Sequence, residues 1–271
     1  MMNGHDIKTS LNEIAEASGT VIRKYFRQPL ALDGKDAPSP IVTIADREAE
    51  HAMRAVIESR HPDHKIIGEE FGSSGSGDTC WVLDPIDGTI AFACGKPIFC
   101  TLVGFFDGEV PIAGMIDQPI TGERWISVGG TTTLNDQPCK TSAITELRSA
   151  RLGTTDPGLF SDPIQGWFSA IEQAARITSY GGDGYAYGLV ASGHLDMVIE
   201  SGLAWHDVAA LICIIEGAGG TICDFQGQPH VPGHASYDVI AASSQDLVNS
   251  VLSLAQAGLL NRPTDRAILN P

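Results

Sequence analysis

The chain has 271 residues, 43% of them apolar and 18% charged, with a mean hydropathy near zero. That balance belongs to a globular chain with ample material for a core and excludes a disordered, fibrous or coiled-coil protein. Seventeen Lys and Arg against 33 Asp and Glu leave a net charge of −16, which argues against nucleic acid and anionic membranes as partners. No apolar run reaches the roughly 18 residues of a membrane span, and the start lacks a signal-peptide core, so a cytoplasmic location is expected.

In chain order, Leu11, Ile14, Ala15, Ser18, Val21, Ile22, Tyr25 and Phe26 recur at steps of three and four, which predicts an amphipathic helix. Ser10 with Glu13 fits a capping box at its start. A polar stretch rich in Pro and Gly, 28–39, reads as a loop, and Ala45, Ala49, Ala52, Met53, Val56 and Ile57 trace a second helix ending at His61-Pro62. Short apolar runs follow at 65–67 and 81–83, then 99–106 and 110–117 around Asp107-Gly108, a hairpin signal. An antiparallel sheet continues through 125–128, a Gly129-Gly130 turn and 131–134.

The second half alternates strands (150–153, 176–179, 197–200, 221–224, 239–242) with helices (about 163–175, 184–193, 206–217, 244–257). The expected fold is therefore α/β or α+β with stacked helix and sheet layers. Residues 1–271 read as a single catalytic domain made of two packed halves meeting near residue 145. The six cysteines show neither a CxxC pair nor zinc-finger spacing and read as small buried hydrophobes of a reducing compartment.

Acidic residues that directly follow strands are candidates for chemistry, because strand ends are rigid and their loops share a crevice. Gly68-Glu69-Glu70 follows one strand, Asp84-Pro85-Ile86-Asp87-Gly88-Thr89 another, and Asp207 opens a helix. Carboxylates crowded at one point repel each other unless hard cations lie between them, and oxygen ligands suit Mg²⁺ or Mn²⁺. A two-ion site of this kind fits hydrolysis of a phosphate ester, and bound cations would let a protein of −16 receive a dianion. The plain alternative is that Asp84 and Asp87 form Asx turns and that Glu69 and Glu70 are a solvated strand end. Lys96 reads as a solvated lysine, Ser73 to Gly77 as a flexible connection, and Trp167 and Phe168 as core or interface.

Taken with Trp205-His206-Asp207 and Glu216-Gly217-Ala218-Gly219-Gly220, the two acidic motifs resemble the magnesium-dependent inositol monophosphatase superfamily, in order and spacing across most of the chain. Thr43 to Glu50, Ile116 to Ile120 with Glu123-Arg124-Trp125, and Tyr180 to Gly188 resemble its histidinol-phosphatase branch.

The resemblance implies a layered αβαβα sandwich and Mg²⁺-dependent hydrolysis of L-histidinol phosphate, with an inositol phosphate or a related sugar or nucleotide phosphate as the alternative. A homologue that binds metal without turnover is a third reading, against which the complete set of acidic residues argues. It implies that Glu69, Asp84 and the Ile86 carbonyl hold one ion and that Asp84, Asp87 and Asp207 hold a second, with a third reached through Glu69 and water. Thr89, bonded to Asp46, would orient the attacking water, and Glu70 is a further candidate catalytic residue. The Gly88 and Thr89 amides would take the phosphate, and Asp87, Asp183, Glu200 and Asp207 the substrate alcohol. Asp183 otherwise reads as a helix N-cap, and a homodimer is implied. Three positions depart from the family pattern: Ile90 where a polar residue is common, Gly184 in place of the branch's usual Cys, and His206 in place of an aromatic. His206 reads as a helix-start residue beside the site.

Overall fold

The computed structural model describes residues 2–28, 44–162 and 164–254. The first helix, α1 (Gly4–Tyr25), begins six residues before the expected capping box, because Asn3 caps it by accepting from the Asp6 amide at 3.0 Å. Ser10 is consequently buried in mid-helix, where its hydroxyl meets His61 Nε2 at 2.8 Å, and Glu13 pairs with Arg60. Apart from Gln28, the loop read over 28–39 lies outside the described residues, and α2 (Ile44–Arg60) stops at His61 as the sequence implies.

Eight strands then form the first sheet: β1 (Lys65–Gly68), β2 (Gly72–Ser74), β3 (Thr79–Asp87), β4 (Cys100–Asp107), β5 (Val110–Gln118), β6 (Glu123–Val128), β7 (Thr131–Leu134) and β8 (Gln137–Pro138), in spatial order β2-β1-β3-β4-β5-β6-β7-β8. A short helix, α3 (Thr89–Ala93), interrupts them. The Ser-Gly stretch after Phe71 is not all loop: β2 pairs antiparallel with β1, because Arg54 anchors it by donating to Ser74 Oγ at 2.7 Å.

The second sheet holds β9 (Arg151–Thr154), β10 (Ile177–Tyr180), β11 (Met197–Leu203), β12 (Thr221–Cys223) and β13 (Tyr237–Ala242), in order β10-β9-β11-β13-β12. Its helices are α4 (Ile164–Ala174), α5 (Asp183–Ala191), α6 (Trp205–Gly217) and α7 (Gln245–Leu254).

Strand periodicity sets the layers, since alternate side chains face opposite sides. On β3, Trp81 and Leu83 pack against α1 and α2, while Cys80 and Val82 face α5 and α6. On β11 and β13, Val198, Val239 and Ala241 face α5 and α6, while Met197, Ile199, Ile240 and Ala242 face Trp167, Phe168, Leu247 and Val251 of α4 and α7. The order is helix pair, sheet, helix pair, sheet, helix pair, which is the αβαβα sandwich. Each fully buried aliphatic or aromatic side chain in it contributes about 1.5 to 3 kcal/mol. Lys96 is exposed and Trp167 and Phe168 are core. Cys80, Cys100 and Cys223 are buried as expected of small hydrophobes, whereas Cys94 is exposed beyond α3. Among the described residues no helix is long and apolar enough to cross a membrane.

Candidate active site

The parallel neighbours β1 and β3 end side by side, with Gly68 opposite Leu83, so the residues that follow, Glu69 and Asp84, emerge at one edge. In a regular strand, Asp84 and Asp87, three residues apart, would point to opposite faces. The β3–β4 register shifts between them, and the buried Thr101 hydroxyl donates to the Pro85 carbonyl at 2.8 Å, fixing the irregular stretch. Both carboxylates thereby turn to one point. Asp207, in the first turn of α6, meets them there: one oxygen each from Asp84, Asp87 and Asp207 lie within 4.8 Å of one another. A second group with the same spacing comprises Glu69, Asp84 and His206, so Asp84 belongs to both.

Crowding shows in the electrostatics. Burial, then Glu69, Asp87, Asp207 and Asp46, push the Asp84 carboxyl well above its usual range. Burial, Asp183 and Asp207 do the same to Asp87, although the Gly184 amide donates to it. Asp84 is 2% exposed, and its Oδ1 has no hydrogen-bond partner. A buried acceptor left open among like charges is costly, and a divalent cation is a group that would satisfy it. The donor set is all carboxylate apart from His206, which fits Mg²⁺ or Mn²⁺.

Gly88 holds a left-handed conformation (φ 84°) and starts α3, and a Cβ there would lie 2.7 Å from Asp183 Oδ2. Thr89 is buried, and its hydroxyl donates to the Ile86 carbonyl at 3.2 Å, within its own turn, rather than to Asp46. Asp46, 1% exposed, is near enough to raise Asp84. Glu70 belongs to neither carboxylate group and faces Arg47, with 3.8 Å between Oε2 and Nε. Ile90 is exposed on α3.

Asp183 is not the N-cap of α5. Gly182 takes that place, because the Asp183 amide donates to Thr155 Oγ1 at 3.1 Å and its carboxylate turns toward Gly88. Burial, followed by Glu200 and Asp207, raises Asp183 to about 7. Glu200 is 5% exposed and accepts from the Thr155 amide at 3.0 Å and from Tyr187 Oη at 2.7 Å. Asp87, Asp183, Glu200 and Asp207 line one cavity with Leu159 and Phe160, and among the described residues none that lines it is Lys or Arg.

Sequence reasoning missed the support beneath Glu69. Glu50, wholly buried on α2, accepts from the Glu70 amide at 2.7 Å, the Phe71 amide at 3.2 Å and Arg54 Nε at 2.7 Å. Gly68 leaves room for this, since a Cβ there would lie 2.0 Å from Glu50 Oε1. The available signal was the Glu50/Arg54 spacing of four beside the apolar stripe of α2, which looks the same as a solvated pair. Arg54→Met strands a buried carboxylate, so urea unfolding is expected to show a loss of about 3 kcal/mol. An unchanged midpoint would mean that the Glu69 turn stands without the pair.

Comparison with known proteins gives the same frame. The model of the inositol monophosphatase family matches residues 5–258. The chain is 45% identical to the chloroplastic bifunctional phosphatase IMPL2 of Arabidopsis thaliana over 89% of its own length and 72% of that protein's. It is 31% identical to a histidinol-phosphatase of Chlorobaculum parvum over 91% of its own length and 96% of that protein's. A solved inositol monophosphatase from Zymomonas mobilis superposes with a TM-score of 0.85 at 40% identity, covering 94% of this chain and all of that one.

Proposed function

The chain belongs to the inositol monophosphatase family, and from that premise we propose that it is a Mg²⁺-dependent phosphomonoesterase that hydrolyses L-histidinol phosphate to L-histidinol and phosphate. In this reading Glu69, Asp84 and the Ile86 carbonyl hold one cation, and Asp84, Asp87 and Asp207 hold a second. Bound there, the cations neutralise the phosphate dianion and make water a competent nucleophile near neutral pH. The chain's own residues position the reactants. Thr89, whose hydroxyl donates to the Ile86 carbonyl, orients the attacking water, with Asp46 and Glu70 as the further catalytic residues, and the Gly88 and Thr89 amides at the start of α3 receive phosphate oxygens.

The observation that carries the substrate choice is the acidic cavity without Lys or Arg. Once Asp87 and Asp207 are committed to cations, Asp183 and Glu200 are left to face the leaving alcohol. Two carboxylates beside the apolar Leu159 suit an alcohol bearing an ammonium and an imidazole. The 31% identity to a histidinol-phosphatase supports this choice, while the 40% identity to an inositol monophosphatase favours a cyclitol phosphate.

Steady-state phosphate release from L-histidinol phosphate and inositol 1-phosphate, with Mg²⁺ and with excess EDTA, separates the two. Release abolished by EDTA, with kcat/KM at least about a hundredfold higher for histidinol phosphate, some 2.7 kcal/mol of transition-state discrimination, is expected. The reverse preference would move the chain to inositol phosphates, and EDTA-resistant turnover would overturn the ion-dependent reading.

A further inference from the structure

One member of the carboxylate cluster is not a carboxylate. His206, the second residue of α6, places Nε2 3.4 Å from Asp207 Oδ1 and 4.0 Å from Glu69 Oε1. Neither separation makes a good hydrogen bond. Two ligands sharing one ion at about 2.0 to 2.2 Å each lie roughly 4 Å apart when opposed, which is the His206–Glu69 separation, and one atom each of Glu69, Asp84 and His206 lie within 4.8 Å of one another. Asp207 Oδ2 is already engaged, accepting from the Ala204 amide at 2.7 Å, which leaves Oδ1 directed at the cluster. Asp84, whose buried Oδ1 has no hydrogen-bond partner, brings a carboxylate oxygen to the same group.

We propose that His206 supplies a nitrogen ligand to the cation held by Glu69 and Asp84, so that this position prefers a first-row transition ion such as Mn²⁺ or Co²⁺ over Mg²⁺. The proposal rests on the two-cation reading of the site and refines it. Imidazole nitrogen binds Mg²⁺ poorly and strengthens binding along the transition series, whereas carboxylates alone discriminate little between Mg²⁺ and Mn²⁺. One imidazole among oxygen donors therefore shifts ion preference without altering the reaction class.

The test loads the whole protein with Mn²⁺ and looks for nitrogen hyperfine coupling by pulsed electron paramagnetic resonance. The ¹⁴N modulation is expected in wild type, replaced by the ¹⁵N pattern when the protein is labelled with [¹⁵N]histidine and absent in His206→Phe. Calorimetry is expected to show the Mn²⁺ to Mg²⁺ affinity ratio falling about tenfold in that variant. Mn²⁺ bound without nitrogen coupling in labelled wild type would overturn the role of His206 and leave the cation site standing. Failure to bind Mn²⁺ at all would overturn both.

Discussion

Asp84→Asn is expected to abolish phosphate release while leaving the metal-free fold at least as stable as wild type. Among the described residues Asp84 is the one carboxylate common to both groups of close ligand atoms, so the neutral amide would remove charge from both proposed cation positions at once. A fall in kcat of about a thousandfold or more, some 4 kcal/mol, is the scale expected when a charge-stabilising ion is lost.

The stability half of the prediction follows from the sign of the pKa shift. Burial and Glu69 raise the folded-state pKa, so the metal-free native state holds a proton that the unfolded chain releases near the ordinary Asp value. Its stability is greatest at low pH and declines as the pH climbs past that value, and Asn removes this decline. Thermal unfolding in EDTA at pH 8 is the measurement. A variant that keeps turnover would remove Asp84 from the chemistry, and one that unfolds would make the residue structural.

Gly184→Ala is the second substitution expected to be severe, although it adds a single methyl group. A Cβ at this position would lie 2.4 Å from Asp87 Oδ2, 3.0 Å from Cys100 Sγ and 3.1 Å from Leu102 Cδ2. Cys100 and Leu102, packed on the central strand β4, need give only a few tenths of an ångström, whereas Asp87 at 2.4 Å or the start of α5 must move. The same carboxylate accepts from the Gly184 amide, so displacing one disturbs the other. Overpacking of this kind costs about 1 to 3 kcal/mol of stability. The displaced ligand should weaken apparent Mg²⁺ affinity about tenfold and lower kcat/KM about a hundredfold at fixed Mg²⁺. Kinetics across a Mg²⁺ titration check both, and wild-type affinity in the variant would mean that α5 recoils while Asp87 stays. At this position the backbone of α5 approaches Asp87 so closely that a side chain would displace its carboxylate.

Much of this site was legible because it is local in the chain. Asp84 and Asp87 fall at one strand end, and Glu69 leaves the neighbouring parallel strand, so apolar runs followed by acids were enough to bring three carboxylates together. Asp207 arrives from far along the sequence on α6; its position at a helix start marks it as a candidate, but no local rule brings it to Asp84 and Asp87, and that pairing comes only through resemblance to a family. The supports stayed hidden for other reasons. Thr101, which fixes the bulge, is one more β-branched residue in a strand. Glu50 and Arg54 lie four apart on a helix, and that spacing does not say whether the pair faces water or core. Asn3 pre-empted the expected cap because a helix extends to the first adequate cap upstream of its apolar stripe, and Ile7 already continued that stripe.

The middle layer has a mechanical consequence. Helix α6 is apolar around most of its circumference and is gripped by both sheets, with Val208, Leu211 and Ile215 in a core shared with Val82 and Leu102 on one side and Val239 and Ala241 on the other. Asp207 rides on that helix, whereas Asp84 and Asp87 are fixed to the first sheet. A cation joining them would act as a reversible rivet between two bodies that otherwise meet through apolar packing and isolated hydrogen bonds such as the one from the Thr132 hydroxyl to the Ile214 carbonyl at 2.8 Å, and its binding free energy would add to the cohesion of the whole stack. Slippage between the layers by an ångström would spoil the ligand geometry before it unfolded anything, so in this architecture the tightness of ion binding gauges how well a distant hydrophobic interface is packed.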